Sequence, residues 1–186
     1  MQSSQRTEKP LPEGWQWVKL GDVCQFNYGN SLPSRNRISG DINVYGSNGI
    51  VGTHTKALTE GPTIVIGRKG SIGEVHYSSE GCWPIDTTYY IENKSIECDI
   101  FWLSFCLKSL DLNELNKAAA VPGLNREDAY KIKIPFPPLP EQQRIASRLR
   151  EQMQAVDEAR QAAEAQLKAI NQLPAALLRQ AFSGAL

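Results

Sequence analysis

The alternation of hydrophobic and polar positions changes character once along the chain, at PFPPLP (135–140). Before it, apolar residues come in short runs separated by glycine, proline and asparagine, the pattern of strands and turns. After it, only Pro174 and Gly184 interrupt a stretch rich in Ala, Gln, Arg and Glu, the pattern of a helix. WQWVKLGDV (15–23) reads as a strand or short helix entering a turn at Gly21 and Asp22. Within 42–51, the Ser47-Asn48-Gly49 step between apolar residues predicts a hairpin. TIVIG (63–67) fits a buried strand, EVHY (74–77) follows it across a glycine loop, and TTYYI (87–91) is a further strand of aromatic and β-branched residues. DIFWLSFCLKSL (99–110) is apolar on nearly every face, which predicts a buried helix with Asp99 as its N-cap. Asn125 is placed to cap a short helix over 126–130, with Asp128 in its first turn. KIKIPF (131–136) alternates as a strand that Pro135 ends or confines to an edge.

The last segment has the simplest pattern. Pro140 suits a first helical turn and Glu141 the positive end of the helix dipole. From there to Leu173 nothing breaks the helix, which would be roughly 50 Å long. Leu149, Val156, Ala163, Ile170 and Leu177 recur every seven residues, flanked by Ile145, Met153, Leu167 and Leu173. Such a stripe is coiled-coil-like, although Gln152 and Arg160 interrupt its second seam. A helix this long outreaches a domain of about 130 residues, so the stripe calls for a partner helix rather than for its own domain. Pro174 is expected to kink or restart the helix, and PAALLRQAFSGAL (174–186) to dock. The expected organisation is a disordered or linker segment over 1–10, a mixed α/β (α+β) domain with a β-rich core over 11–138, and a long helix over 139–186.

Composition narrows the class. The 186 residues are 41% hydrophobic and 22% charged, values of a globular chain. Twenty Lys and Arg offset twenty Asp and Glu, which argues against a polybasic nucleic-acid binder and an electrostatic membrane anchor. The balance hides a modest polarity. Residues 26–76 hold Arg35, Arg37, Lys56, Arg68 and Lys69 against three acids, whereas 78–128 hold four basic and nine acidic side chains. No stretch approaches the roughly 18 apolar residues of a membrane span, and MQSSQRTEKP is too polar for a signal peptide. A soluble, cytoplasmic chain with no membrane partner is expected. Cys24, Cys82, Cys98 and Cys106 lack the paired spacing of zinc ligands, and His54 and His76 are isolated, so neither a disulfide nor a metal is expected.

GRKGSIG (67–73) is the one loop that invites a phosphate. It lacks the terminal Gly-Lys-Ser/Thr order of a Walker A loop and runs into a strand rather than a helix. Arg68, Lys69 and Ser71 are candidates for contacting a nucleic-acid backbone; a purely structural turn fits the same residues. Asp86-Thr87-Thr88 has no His or Lys beside it in sequence to activate a hydroxyl, so it reads as a turn cap. There is no glycine fingerprint for a methyl donor or a dinucleotide, and no catalytic residue is assigned. Upstream, Tyr28 and Tyr45 interleave with Arg35, Arg37, Ser47, Asn48 and Lys56, residue types that read base edges or hold phosphates.

Six runs in order resemble the specificity (S) subunit of type I restriction–modification systems: LPEGWQWVKLGDV (11–23), YGSNGIVG (45–52), TIVIGRKGSIGEV (63–75), WPIDTTYYI (83–91), GLNREDAYKIKIPFPPLPEQQRIASRL (123–149) and LLRQAFSGAL (177–186). The resemblance implies a non-catalytic chain with a target recognition domain similar to that of some DNA adenine methyltransferases. A long helix follows that domain. A full subunit has two recognition domains, and its two helices pack as an antiparallel coiled coil that spaces two half-sites. One of each is present here, so the resemblance implies a half-subunit or an excised half, and two copies pairing their helices would restore a symmetric target.

The partners so implied are double-stranded DNA, a methyltransferase (M) subunit that flips and methylates an adenine, a restriction (R) subunit, and a second copy of the chain. S-adenosylmethionine and ATP would sit on the partner subunits only, and no cofactor on this one. Arg35, Arg37, Ser47, Asn48 and Lys56 become candidate base readers; Arg68, Lys69 and Ser71 become candidate backbone contacts. Ile145, Leu149, Met153, Val156, Ala163, Leu167, Ile170 and Leu177 become the dimer or partner face. The competing classes are a truncated or decoy subunit that holds the methyltransferase without reading DNA, and a self-sufficient DNA-modifying enzyme, which the missing motifs disfavour. The zero net charge then implies weak DNA binding by the chain alone and strong binding on assembly.

Overall fold

TIVIG becomes an inner strand of the main sheet. In the computed structural model, which describes residues 10–116 and 122–183, all five of its positions are buried. Burial is worth roughly 1.5–3 kcal/mol for each large aliphatic side chain, and Ile64, Val65 and Ile66 have no exposure. In chain order the elements are β1 (Gln16–Lys19), α1 (Leu20–Val23), β2 (Asn27–Tyr28), β3 (Ile42–Gly46), β4 (Gly49–His54), β5 (Thr63–Gly67), β6 (Val75–Ser78), β7 (Trp83–Pro84), β8 (Thr88–Glu92), α2 (Ile100–Lys108), α3 (Arg126–Tyr130), β9 (Lys133–Phe136) and α4 (Leu139–Phe182). Two compact units result, Met1–Gln143 and Arg144–Leu186.

The main sheet runs β2-β8-β5-β6 and is antiparallel throughout. A second sheet, β4-β3-β7, combines the expected hairpin with a parallel pairing of β3 and β7. The hairpin turns through Ser47 and Asn48, and Gly46 pairs with Gly49. A register shift lies between Val44 and Tyr45. Tyr45, Val65 and Cys82 form a buried cluster that joins residues of both sheets.

The two expected caps are present. The Asp99 carboxylate accepts the Trp102 N–H at 2.8 Å, and the Asn125 side chain accepts the Glu127 N–H at 3.0 Å. Each cap satisfies a donor that a helix start leaves open. Helix α2 is buried at Ile100, Trp102, Leu103, Ser104 and Leu107, as its apolar sequence predicts. Strand β9 pairs antiparallel with β1, with Trp17 opposite Pro135, and the Leu20 N–H extends the contact to the Ile132 carbonyl at 2.8 Å. In a two-stranded ribbon each strand keeps one unpaired edge, which is where a proline is tolerated.

Gln142, in the first turns of α4, is 1% exposed. Its Oε1 accepts the Asp99 N–H and its Nε2 donates to the Pro137 carbonyl, both at 2.9 Å. Helix α4 contains 44 residues, about 66 Å at the usual rise. It is continuous through Pro174, so of the expected kink or restart the restart does not occur. Proline removes one donor and crowds one carbonyl, and the Ala, Leu, Gln and Arg on both sides are strong helix formers that carry the turn across. In the segment after Pro174, Leu177, Leu178 and Phe182 are exposed in the single chain. Residues 184–186, and nearly all of the expected N-terminal linker over 1–10, lie outside the described residues.

The four cysteines are free thiols. Burial pushes Cys24 and Cys98 up to about 12 and Cys106 up to about 11. Among the described residues, no His, Cys, Asp and Glu group is arranged to hold a metal, and no helix is long and apolar enough to cross a membrane.

Candidate nucleic-acid interface

The glycine loop between β5 and β6 closes on itself. The Gly67 N–H donates to the Glu74 carbonyl at 2.8 Å, and the Gly73 N–H donates to the Gly67 carbonyl at 2.9 Å. A Cβ on Gly67 would stand 2.0 Å from the Ser71 carbonyl oxygen, whereas one on Gly70 would meet nothing within 4 Å but at a φ of +78°. The two glycines therefore fail differently when replaced. Gly67→Ala must move backbone, a cost at the upper end of about 1–3 kcal/mol. Gly70→Ala carries only the left-handed penalty of about 1 kcal/mol. Thermal unfolding should rank wild type above Gly70→Ala and Gly70→Ala above Gly67→Ala; equal melting of the two variants would refute the close approach to Ser71.

Three loops meet at one atom. The Thr87 carbonyl oxygen accepts the N–H groups of Arg68 and Lys69, at 2.9 and 3.1 Å, and the Ser47 hydroxyl at 2.8 Å. The Ser47 carbonyl lies 3.3 Å from His76 Nε2, which must carry the hydrogen because a carbonyl only accepts. The hairpin turn, the glycine loop and the turn before β8 thus form one surface. Asn48, Lys69 and Asp86 are exposed on it and Ser71 is half-buried.

Five of the sequence-selected residues, Ser47, Asn48, Arg68, Lys69 and Ser71, come together here. Arg35 and Lys56 do not: Arg35 is exposed in the single turn Ser34–Asn36, and Lys56 is exposed beyond the end of β4 remote from the hairpin turn. Arg37 donates from Nε to the Leu32 carbonyl at 3.1 Å and from Nη1 to the Val51 carbonyl at 2.7 Å. It thereby fastens the preceding loop to β4. Ser47 is 7% exposed, and its hydroxyl is committed to Thr87. Base reading by either side chain would cost a fold contact; Asn48, Arg35 and Lys56 carry no such commitment to the carbonyls named here.

An aromatic column stands beside the loops. Tyr130, Phe26, Tyr89 and Tyr28 follow one another with ring centroids 5.3, 5.7 and 5.1 Å apart. The Tyr89 hydroxyl donates to the Leu124 carbonyl at 3.1 Å, and burial, with Tyr28 beside it, pushes Tyr89 up to about 12. Arg126, at the start of α3, reaches the end of this column. Sequence patterning gives Arg126 no signal beyond its place after the Asn125 cap.

On α4, Ile145 and Leu149 are half-buried, whereas Met153, Val156, Ala163, Leu167, Ile170 and Leu177 are exposed. An exposed apolar stripe of this length is the kind of surface that protein–protein contacts cover.

Residues 12–169 match the sequence model of a family described as type I restriction modification DNA specificity domain. The S subunit of a type I restriction–modification system from M. genitalium is similar over 78% of this chain and 41% of its own, at 26% identity and a TM-score of 0.69. A chain from a structural study of complex assembly and conformational transition of the type I R-M system is 26% identical over 97% of this chain and 49% of its own, with a TM-score of 0.68. The HsdS subunit from Thermoanaerobacter tengcongensis is 27% identical over 98% and 48%, with a TM-score of 0.62. The chain spans less than half the length of each of these proteins. No curated protein matches it.

Proposed function

The chain belongs to the type I restriction–modification DNA specificity family, and we propose that it recognises one half of a split DNA target for a methyltransferase subunit, without catalysing any step itself. The observation that carries this reading is the coverage: 97–98% of this chain corresponds to only 48–49% of two relatives. One recognition domain and one helix thus stand where those proteins have twice the length. The exposed stripe on α4 supports the missing half being a second copy, its helix antiparallel to the first in a coiled coil. Two-fold pairing makes the target a repeated half-site in inverted orientation, with the helices setting the spacer.

Within the recognition domain, Lys69 and Ser71 suit phosphate contact, since they sit on a loop whose shape backbone hydrogen bonds maintain. Asn48 is exposed on the adjoining turn and is the best-placed base reader, because an Asn side chain can pair bidentately with adenine. S-adenosylmethionine and ATP belong to the methyltransferase and restriction subunits. The flipped adenine would be processed there.

The test is the methylation pattern of DNA in cells expressing this chain with its methyltransferase subunit. A bipartite, palindromic motif is expected. A bipartite motif with two different halves would overturn the homodimer. Methyltransferase binding without any methylated motif would favour the decoy subunit.

A further inference from the structure

Two arginines distant in sequence share one aromatic ring. The guanidinium carbons of Arg68 and Arg126 each lie 5.1 Å from the centroid of Tyr28, and Tyr28 is 50% exposed. Arg68 also lies 5.8 Å from the Tyr89 ring. Two groups that are each 5.1 Å from one point are at most about 10 Å apart, roughly one Debye length at 0.1 M salt. Their repulsion is therefore only partly screened. Covering one tyrosine needs a single cation, so the second guanidinium exceeds what packing requires.

Both arginines are held from behind. The Arg68 carbonyl accepts the Leu124 N–H at 2.9 Å, and Arg68 Nη2 donates to the Asp86 carbonyl at 2.9 Å. Arg126 Nη1 reaches the Phe26 carbonyl at 3.4 Å, and its Nε lies 3.3 Å from the Glu127 carboxylate. These contacts use only part of the five N–H donors each guanidinium carries. Arg68 Nε is shielded from solvent with no hydrogen-bond partner.

Resting on the reading that the chain binds DNA, we propose that Arg68 and Arg126, held over the Tyr28 ring, form a phosphodiester clamp that grips the DNA backbone irrespective of sequence. Phosphate and carboxylate both suit planar forks of donors, and of the two DNA presents phosphate. An arginine already stacked on a ring loses less freedom on binding than a free one. An anion shared by the pair would also relieve their mutual repulsion. The clamp adjoins the glycine loop through Arg68, so it lengthens the backbone-contacting surface toward α3.

The experiment measures binding of the full chain to several mixed-sequence duplexes over a range of salt, alone and with its methyltransferase subunit, by fluorescence anisotropy. Arg126→Gln should weaken every duplex alike, by about threefold to tenfold, and lower the magnitude of the salt slope by about 1. Arg126→Lys should keep the slope while losing affinity, because it retains charge but not the planar fork. Tyr28→Leu, which frees both arginines, should weaken every duplex alike. Unchanged affinity and slope in Arg126→Gln, with unfolding by circular dichroism also unchanged, would overturn the clamp while leaving DNA binding intact. So would a loss confined to one sequence, or, if Arg126→Gln unfolds, full affinity in Arg126→Lys. Failure of the wild-type chain to bind any duplex under either condition would overturn the DNA-binding reading itself.

Discussion

Ile170→Lys combined with Leu177→Lys is expected to leave the chain monomeric where the parent associates, and to abolish methylation of the target. The two side chains are 59% and 55% exposed on α4, one heptad apart on the same stripe. Burying a large aliphatic side chain is worth roughly 1.5–3 kcal/mol. A two-fold pairing counts each substitution twice, so the double variant removes on the order of 6–12 kcal/mol. That loss is comparable to the roughly 8 kcal/mol that holds a micromolar dimer together. Lysine is a good helix former, so the helix itself should survive and the circular dichroism spectrum should change little. Light scattering and sedimentation over a micromolar range read the outcome. A parent chain that stays monomeric both free and on DNA would sink the homodimer, as would a double variant that associates like the parent.

The second large effect is expected in the recognition domain. Gln142→Leu should lower stability by roughly 2–5 kcal/mol, because it strands a part-buried and a buried backbone group, the Asp99 N–H and the Pro137 carbonyl. Volume is nearly kept, so the loss reports hydrogen bonding rather than a cavity. Gln142→Glu separates the two bonds. Protonated, the new carboxyl can still accept from Asp99 and donate to Pro137; ionised, it keeps the first bond, loses the second and buries a charge. Burial raises its folded pKa above the unfolded value near 4.3. Stability is therefore highest below that unfolded value and falls as pH rises through the folded pKa. Chemical denaturation of both variants at pH 4 and pH 7, each against wild type, measures this. A Gln142→Glu variant more destabilised at the lower pH would contradict the paired hydrogen bonds.

Local chemistry made much of this fold legible. The buried run of β5, the Ser47-Asn48-Gly49 turn, and the Asp99 and Asn125 caps are each decided within a few residues by burial, turn geometry or a single side-chain acceptor. The pairings were not legible, because no local pattern states which strand meets which: β1 with β9, and β3 parallel to β7. Pro174 shows the limit in the other direction. A rule about one residue gives way to the helical preference of its neighbours on an exposed helix. At the candidate interface, sequence identifies the glycine loop and its cations. It does not reveal that the Thr87 carbonyl ties the loop to Ser47, or that Arg126 arrives from α3 beside Tyr28. Such meetings depend on the tertiary path, and Arg37 and Ser47, attractive as residue types, turn out to be occupied by the fold.

The ribbon of β1 and β9 also orders events in time. Lys19 and Lys133 pair across about 110 residues, and a chain grows at about 5–20 residues per second. Strand β1 therefore waits roughly 6–22 s on the ribosome before its partner exists. The domain cannot close by zipping from its first strand. The remaining sheets must form around an unfinished ribbon, a high-contact-order step that favours slow completion. Helix α4 is synthesised directly after β9, so its apolar face emerges only once the second strand of the ribbon has been made. Any partner helix that met that face would meet it with both strands of the ribbon behind it already made.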